Sequence, residues 1–81
     1  MQELNKILEE VFGIKKEEIN DELDIRKTKK WDSLNHIHFV FAVEKAYDIE
    51  LEQDDIIKMI KVSQIKKIIL SKKKKGFNNT N

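Results

Sequence analysis

The chain of 81 residues contains no cysteine and no proline, and its only glycines are Gly13 and Gly76. Without cysteine it has neither a disulfide framework nor a cysteine-based metal site. Scarce proline and glycine disfavour a turn-rich β fold and favour helices in a single small domain. The longest purely apolar run, residues 39–43, is far shorter than the ~20 residues that span a bilayer. We see no secretory signal, and we therefore expect a cytoplasmic protein without a membrane span.

Charge is unevenly distributed along the chain, although the net charge is only +1. Residues 1–57 contain all 15 acidic side chains, whereas residues 58–81 contain 8 lysines and no acid. Such asymmetry can mark a surface that binds a polyanion, but a solvated lysine face with a frayed end is the simpler interpretation. We assign residues 72–81 to a basic, disordered tail that the fold does not need.

Hydrophobic periodicity predicts four helices, at about residues 2–12, 33–47, 54–59 and from residue 64 onward. Gly13 is the expected left-handed residue that ends the first helix. The long loop over residues 14–32 carries regularly placed apolar residues that anchor it, and a short helical turn is expected near residues 16–20. Ser63 is the predicted N-cap of the fourth helix.

The second predicted helix has two apolar faces. The face expected to lie in the core consists of Phe39, Val40, Val43, Ala46 and Tyr47. A second stripe lies on the other side of the helix and consists of Leu34, Ile37 and Phe41. A surface helix of a small domain needs one apolar face. The second stripe must therefore be covered by the loop and third helix, or else contact a bound chain or a partner protein.

Asp32, Ser33 and Leu34 stand where the polar loop ends and this helix begins. Free backbone N–H groups and the positive end of the helix dipole favour an anion there, so a phosphate ester on Ser33 would be well placed. The alternative is an ordinary N-cap pair, a common role for Asp and Ser.

The motif Trp31-Asp32-Ser33-Leu34, followed by the apolar run 39–43 with Glu44 and by Tyr47 to Leu51, resembles the acyl carrier protein family over residues 2–71. The resemblance implies an all-α fold: a small four-helix bundle with a long loop between helices one and two and a short third helix. It also implies a carrier domain at residues 1–71 and a 4′-phosphopantetheine arm attached to Ser33, with Asp32 and Leu34 beside it. Asp32 is then expected to contact the metal of the transferase that adds the arm.

The function that this resemblance implies is that of a carrier and not of an enzyme. An acyl or aminoacyl group would be held as a thioester on the arm and presented to successive enzymes. The expected partners are a phosphopantetheinyl transferase and the enzymes that activate or transfer the cargo, and the protein is expected to be a monomer. The residues expected to contact partners are Leu34, Ile37, His38 and Phe41.

Several residues depart from the pattern of fatty-acid carriers. Asn35, His36 and His38 stand where that group has acids, and residues 27–30 are basic where a small or acidic loop is common. These changes resemble specialised carriers that serve aminoacyl transfer, surface polysaccharides or secondary metabolites.

Two histidines and a tryptophan near Ser33 could each be structural or functional. His36 and His38 point ~200° apart on a helix, so they do not chelate one ion together, and we predict no metal site. We expect both to be surface residues. Trp31 is expected to anchor the loop in the core, and the alternative is that it shields the start of the arm.

Two other functions compete with the carrier. The first is a carrier-fold interaction or adaptor protein without the prosthetic group. The second is a small basic-tailed helical nucleic-acid binder. Lysines without interleaved aromatics or arginines give only salt-sensitive, unspecific attraction, so we expect no nucleic acid among the partners.

Overall fold

The computed structural model describes the backbone of residues 1–78 and the side chains of residues 1–73. The described residues form four α-helices and no β-strand, which confirms the all-α bundle with a long first loop and a short third helix. The helices are α1 (Gln2–Phe12), α2 (Ser33–Tyr47), α3 (Gln53–Lys58) and α4 (Val62–Asn78), and two 3₁₀ turns lie at Lys16–Glu18 and Ile25–Lys27. None of the described helices is long and apolar enough to cross a membrane.

The first helix ends as its sequence predicts. Gly13 has φ of 64° and donates its N–H to the carbonyl of Glu9. This left-handed residue suits glycine, because a Cβ would strain the backbone there.

The core lies between α1, α2 and α4, and apolar residues of the long loop between α1 and α2 pack against it. Phe12 and Phe39 join α1 to α2, with ring centroids 5.5 Å apart. At the other end of this helix pair, the Leu4 N–H donates to the Tyr47 hydroxyl over 2.9 Å. The fully buried side chains of the core are Leu4, Leu8, Ile25, Phe39, Val40, Val43, Met59, Val62, Ile65 and Ile69.

Ala46 is exposed, so its assignment to the core face of α2 is wrong. The hydrogen bond from Leu4 places the start of α1 level with Tyr47. Adjacent residues of a helix point about 100° apart, so Ala46 is turned away from α1 while Tyr47 faces it.

The long loop pairs with the connection between α3 and α4. Ile25 donates its N–H to the carbonyl of Ile60 over 3.0 Å, and Val62 donates to the carbonyl of Leu23 over 3.0 Å. Ser63 donates to the carbonyl of Asp21 over 3.1 Å. The first N–H groups of a helix have no partner within that helix. The loop carbonyls satisfy them here, so α4 begins at Val62 and the prediction that Ser63 is its N-cap is wrong.

The folded bundle extends beyond residue 71. The Lys72 ammonium lies 2.9 Å from an Asp55 carboxylate oxygen and 3.3 Å from one of Glu52, and its side chain is only 15% exposed. Lys72, which the sequence analysis assigned to the basic tail, is thus held against α3. The helix continues to Asn78, while residues 79–81 of the expected tail lie outside the described residues.

Candidate attachment site at the start of α2

Ser33 is the first residue of α2, and its side chain is exposed. Asp32, not Ser33, is the N-cap: its Oδ1 accepts the N–H of Asn35 over 2.7 Å. Of the Asp32-Ser33 pair, Asp32 is therefore the residue that caps the helix. Ser33 does not serve as the cap, and its exposed side chain lies at the positive end of the helix.

Asn35 ties the loop to the same turn of α2. Its Nδ2 donates to the carbonyl of Lys30 over 2.7 Å, so the residues before Ser33 are held against the helix. The sequence indicates only that Asn35 stands where fatty-acid carriers have an acid, and it does not predict this hydrogen bond.

His36 is buried, and the expectation that it lies on the surface is wrong. The indole Nε1–H of Trp31 donates to Nδ1 of His36 over 3.1 Å, and Nε2 of His36 lies 3.0 Å from the carbonyl oxygen of Ile56. An indole N–H only donates and a carbonyl only accepts. Both hydrogen bonds therefore form together when the imidazole is neutral and carries its proton on Nε2. We call this arrangement the Trp31–His36–Ile56 bridge.

The helical spacing contains a signal for the burial of His36. It lies three, four and seven residues before Phe39, Val40 and Val43, all of which are buried. His36 therefore continues the core stripe by one turn toward Ser33. His38, in contrast, is exposed as expected.

Trp31 has the first of the two roles that the sequence left open, that of an anchor for the loop. It is half-buried and packs against the hydrophobic core. It also lines a cavity of about 380 Å³ that Ser33 borders. The cavity lies between the start of α2, the 3₁₀ turn at Ile25–Lys27 and α3. Its lining consists of Arg26, Trp31, Ser33, His36, Ile37, Ile56, Ile57 and Ile60.

The second apolar stripe of α2 reaches the surface. Leu34 is 65% exposed, Ile37 39% and Phe41 62%. Ile57 of α3 adds a further apolar side chain that is 62% exposed, and it went unnoticed in the sequence. Its signal was the Ile56-Ile57 pair: in a short surface helix only one of two adjacent apolar residues faces inward. We call Leu34, Ile37, Phe41 and Ile57 the apolar patch.

Few acidic groups border this patch on α2. Glu44 is the helix's only acidic residue, and its Oε2 accepts the N–H of Leu51 over 2.8 Å. On the loop side, Arg26 forms hydrogen bonds with both carboxylate oxygens of Asp24. The hydrogen bond from Arg26 lowers the pKa of Asp24 below its usual value and keeps this carboxylate charged.

The lysine-rich second half of the chain folds against acids of the first half. Lys66 lies 2.7 Å from Asp21, and Lys61 lies 3.7 Å from Glu22. The charge asymmetry seen in the sequence is thus partly neutralised in the fold. Among the described residues, no cluster of three or more His, Cys, Asp or Glu side chains could hold a metal ion.

A helical bundle with an exposed serine at the start of its second helix agrees with the fold that the resemblance to acyl carrier proteins implied. The chain is 30% identical over 61 residues to an acyl carrier protein of Nitratidesulfovibrio vulgaris, and the alignment covers 75% of this chain and 80% of that protein. No protein-family model matches the chain. The chain belongs to the acyl carrier protein family, and its role is that of a carrier protein.

Proposed function

We propose that Ser33 carries a 4′-phosphopantetheine arm, on which the protein holds an acyl or aminoacyl group as a thioester and presents it to partner enzymes. The observation that carries this proposal is the exposed Ser33 at the first position of α2, next to a cap supplied by Asp32. The arm supplies the thiol that this cysteine-free chain lacks. Tethering raises the effective concentration of the cargo at each partner site.

The residues of the site fit such an arm. In the attachment step, the Ser33 hydroxyl oxygen forms a phosphodiester with the pantetheine phosphate of coenzyme A. The pyrophosphate bond of coenzyme A breaks, adenosine 3′,5′-bisphosphate leaves, and a base of the transferase takes the serine proton. The N-terminal N–H groups of α2 and their dipole favour the negative phosphodiester.

The apolar patch is the proposed docking surface for partner enzymes, together with His38. Its members Leu34, Ile37 and Phe41 are exposed and lie on the helix that begins with Ser33. Apolar side chains exposed together are typical of interaction sites. We also propose that the protein is cytoplasmic and monomeric. A specialised pathway is proposed because α2 has a single acidic residue, whereas fatty-acid carriers usually have acids after the serine.

The attachment site is tested by intact mass. The protein is incubated with coenzyme A, Mg²⁺ and a promiscuous phosphopantetheinyl transferase and then weighed. We expect the mass of one phosphopantetheinyl group to be added, and Ser33→Ala to abolish the gain. Ser71→Ala, at an exposed serine of α4, is the matched control and should load like the natural chain. An unchanged mass with a transferase proven on other carriers would favour the adaptor protein instead.

The role of Asp32 is tested separately, because it already acts as a cap. Asparagine is an equally good N-cap, so Asp32→Asn should retain the helix content seen by circular dichroism. If the carboxylate also contacts the metal of the transferase, the loading rate of Asp32→Asn falls. A loading rate equal to that of the natural chain would restrict Asp32 to capping.

A further inference from the structure

The exposed side of α2 carries no acidic residue. Its members follow one another at spacings of four, three and four residues, so they lie along one side of the helix: Leu34, His38, Phe41 and Lys45. All four are exposed. The polar members are a histidine and a lysine, and neither side chain carries a negative charge. A partner that covers the apolar patch therefore also meets His38 and Lys45.

The third helix completes this side of the molecule. The hydrogen bond between Nε2 of His36 and the carbonyl of Ile56, 3.0 Å long, holds α3 beside the first turn of α2. Ile37 and Ile57 line the same cavity, so the two parts of the apolar patch adjoin. The exposed charged residues nearest to Ile57 along α3 are Lys58 and, one turn earlier, Asp54. The third helix thus adds one charge of each sign.

The loop that precedes Ser33 is basic as well. Residues 26, 27, 29 and 30 are basic and exposed, and Asp32 is the only acid between residues 25 and 43. The Asp32 carboxylate accepts the N–H of Asn35 as the cap of α2. Both segments that flank Ser33 therefore have more positive than negative side chains.

Lys45 differs from the lysines that stabilise the fold. Lys61, Lys66 and Lys72 form ion pairs with acids of other segments. Lys45 forms no ion pair within the part of the chain that the structure describes. The carboxylate of the adjacent Glu44 accepts a backbone N–H over 2.8 Å. The charge of Lys45 is therefore available to a partner.

We propose that this side of the carrier fits a partner enzyme whose docking surface has carboxylates around an apolar centre. The inference rests on the proposed docking of partners to the apolar patch, and it adds the charge of the partner's surface. Opposite charges around an interface speed association, whereas like charges oppose it. A partner with a basic docking surface is therefore disfavoured. The apolar centre favours a protein partner, because protein interfaces combine an apolar core with a polar rim.

The first experiment measures this charge preference as the initial rate at which Ser33 is loaded. A phosphopantetheinyl transferase that loads the natural chain is prepared in two forms, in which surface residues beside its active-site entrance are changed either to Glu or to Lys. Both rates are normalised to those on a short uncharged peptide substrate and are followed by intact mass. No loading by the unmodified transferase contradicts the proposed function, whereas the ratio of the two normalised rates concerns only the docking charge.

We expect the Glu form to load the natural chain roughly threefold faster than the Lys form at low salt, and the difference to shrink as salt screens the charges. Lys45→Glu and His38→Glu should each reduce this ratio. Lys67→Glu, at an exposed lysine of α4, makes the same change in net charge as Lys45→Glu and should leave the ratio unchanged. Circular dichroism checks that each variant is folded.

The acids elsewhere in the chain provide the competing explanation. Residues 1–57 contain all 15 acidic side chains, and their field opposes that of the basic side of α2. Equal rates with the two forms, or a faster Lys form, would overturn the proposal. An equal reduction of the ratio by Lys45→Glu and Lys67→Glu would also overturn it, because net charge and not this side of α2 would then determine docking.

The second experiment separates a protein partner from a lipid surface, because a basic and apolar helix face also suits anionic lipid. The natural chain and Lys45→Glu are sedimented with vesicles of phosphatidylglycerol and with vesicles of phosphatidylcholine. We expect the natural chain to remain in the supernatant with both. Sedimentation with phosphatidylglycerol that Lys45→Glu abolishes would overturn the proposal and assign this face to a membrane surface.

Discussion

The two apolar faces of α2 have opposite environments. Phe39, Val40 and Val43 are buried against the other helices, whereas Leu34 and Phe41 are largely exposed. Both faces have helical spacing and similar side chains, so hydrophobicity alone does not distinguish them. The difference is that the first face meets α1 and the second meets only the short α3 and solvent. Apolar residues with no covering element are what a docking surface requires.

The buried face should show the largest loss of stability. Phe39→Ala removes a fully buried ring that packs on Phe12, so we expect the free energy of unfolding to fall by about 3–5 kcal/mol. Urea denaturation followed by circular dichroism measures this loss. A loss below about 1 kcal/mol would mean that the two faces do not differ as the structure indicates.

The junction of α1 and α2 should show a smaller loss. Tyr47→Phe removes the hydroxyl that accepts the Leu4 N–H and keeps the ring, so unfolding should require about 1 kcal/mol less. Burial of the hydroxyl raises the pKa of Tyr47 above its usual value. The natural chain therefore has its full stability below the unfolded pKa and loses part of it as pH rises through the folded pKa, because a buried hydroxyl resists ionisation. The hydrogen bond from Leu4 lowers this pKa and so reduces the loss without cancelling it. Unfolding curves at increasing alkaline pH should converge for the natural chain and Tyr47→Phe, and curves that stay apart would contradict this cause.

The contact between α3 and α4 should depend on pH in the acid range. Partial burial alone would raise the pKa of Asp55, but hydrogen bonds from the Glu52 N–H and the Lys72 ammonium lower it below 3.8. These bonds stabilise the fold above the unfolded pKa of Asp55, and this stability is lost as pH falls through the folded pKa.

Lys72→Met should therefore lower the unfolding midpoint at pH 7 by less than Tyr47→Phe does, and the difference from the natural chain should disappear in acid. Lys67→Met, at an exposed lysine of the same helix, is the control and should show no such pH dependence. A difference that stays the same after Asp55 has been protonated in acid would mean that Lys72 stabilises the fold through its aliphatic chain alone.

The exposed face should show the smallest loss of stability and a functional loss instead. Phe41→Ala should change the free energy of unfolding by about 0.5 kcal/mol or less, because the ring is already in solvent. It should nevertheless slow the loading of Ser33 by the phosphopantetheinyl transferase. Leu70→Ala, at a residue 54% exposed on α4, is the matched control and should load normally. A loss of about 3 kcal/mol or more in Phe41→Ala would place this ring in the core and exclude the docking role.

The bounds of α1 and α2 and the place of Ser33 could be predicted from the sequence alone. Their signals are local: an apolar period, a glycine after the last turn and an aspartate before the first. Each acts within about one turn of the chain, so it needs no knowledge of the fold. The exposed stripe was also visible, because α2 has more apolar residues than one buried face requires.

The surroundings of Ser33 were decided only by the tertiary structure. His36 is buried because Trp31 and the carbonyl of Ile56, 5 and 20 residues away, satisfy its two nitrogens. The start of α4 and the burial of Lys72 likewise depend on carbonyls and carboxylates from distant parts of the chain. A buried polar group needs a specific partner at hydrogen-bonding distance, and periodicity does not identify that partner. The pattern in the sequence therefore located the candidate attachment site, and the packing of distant segments formed the cavity beside it.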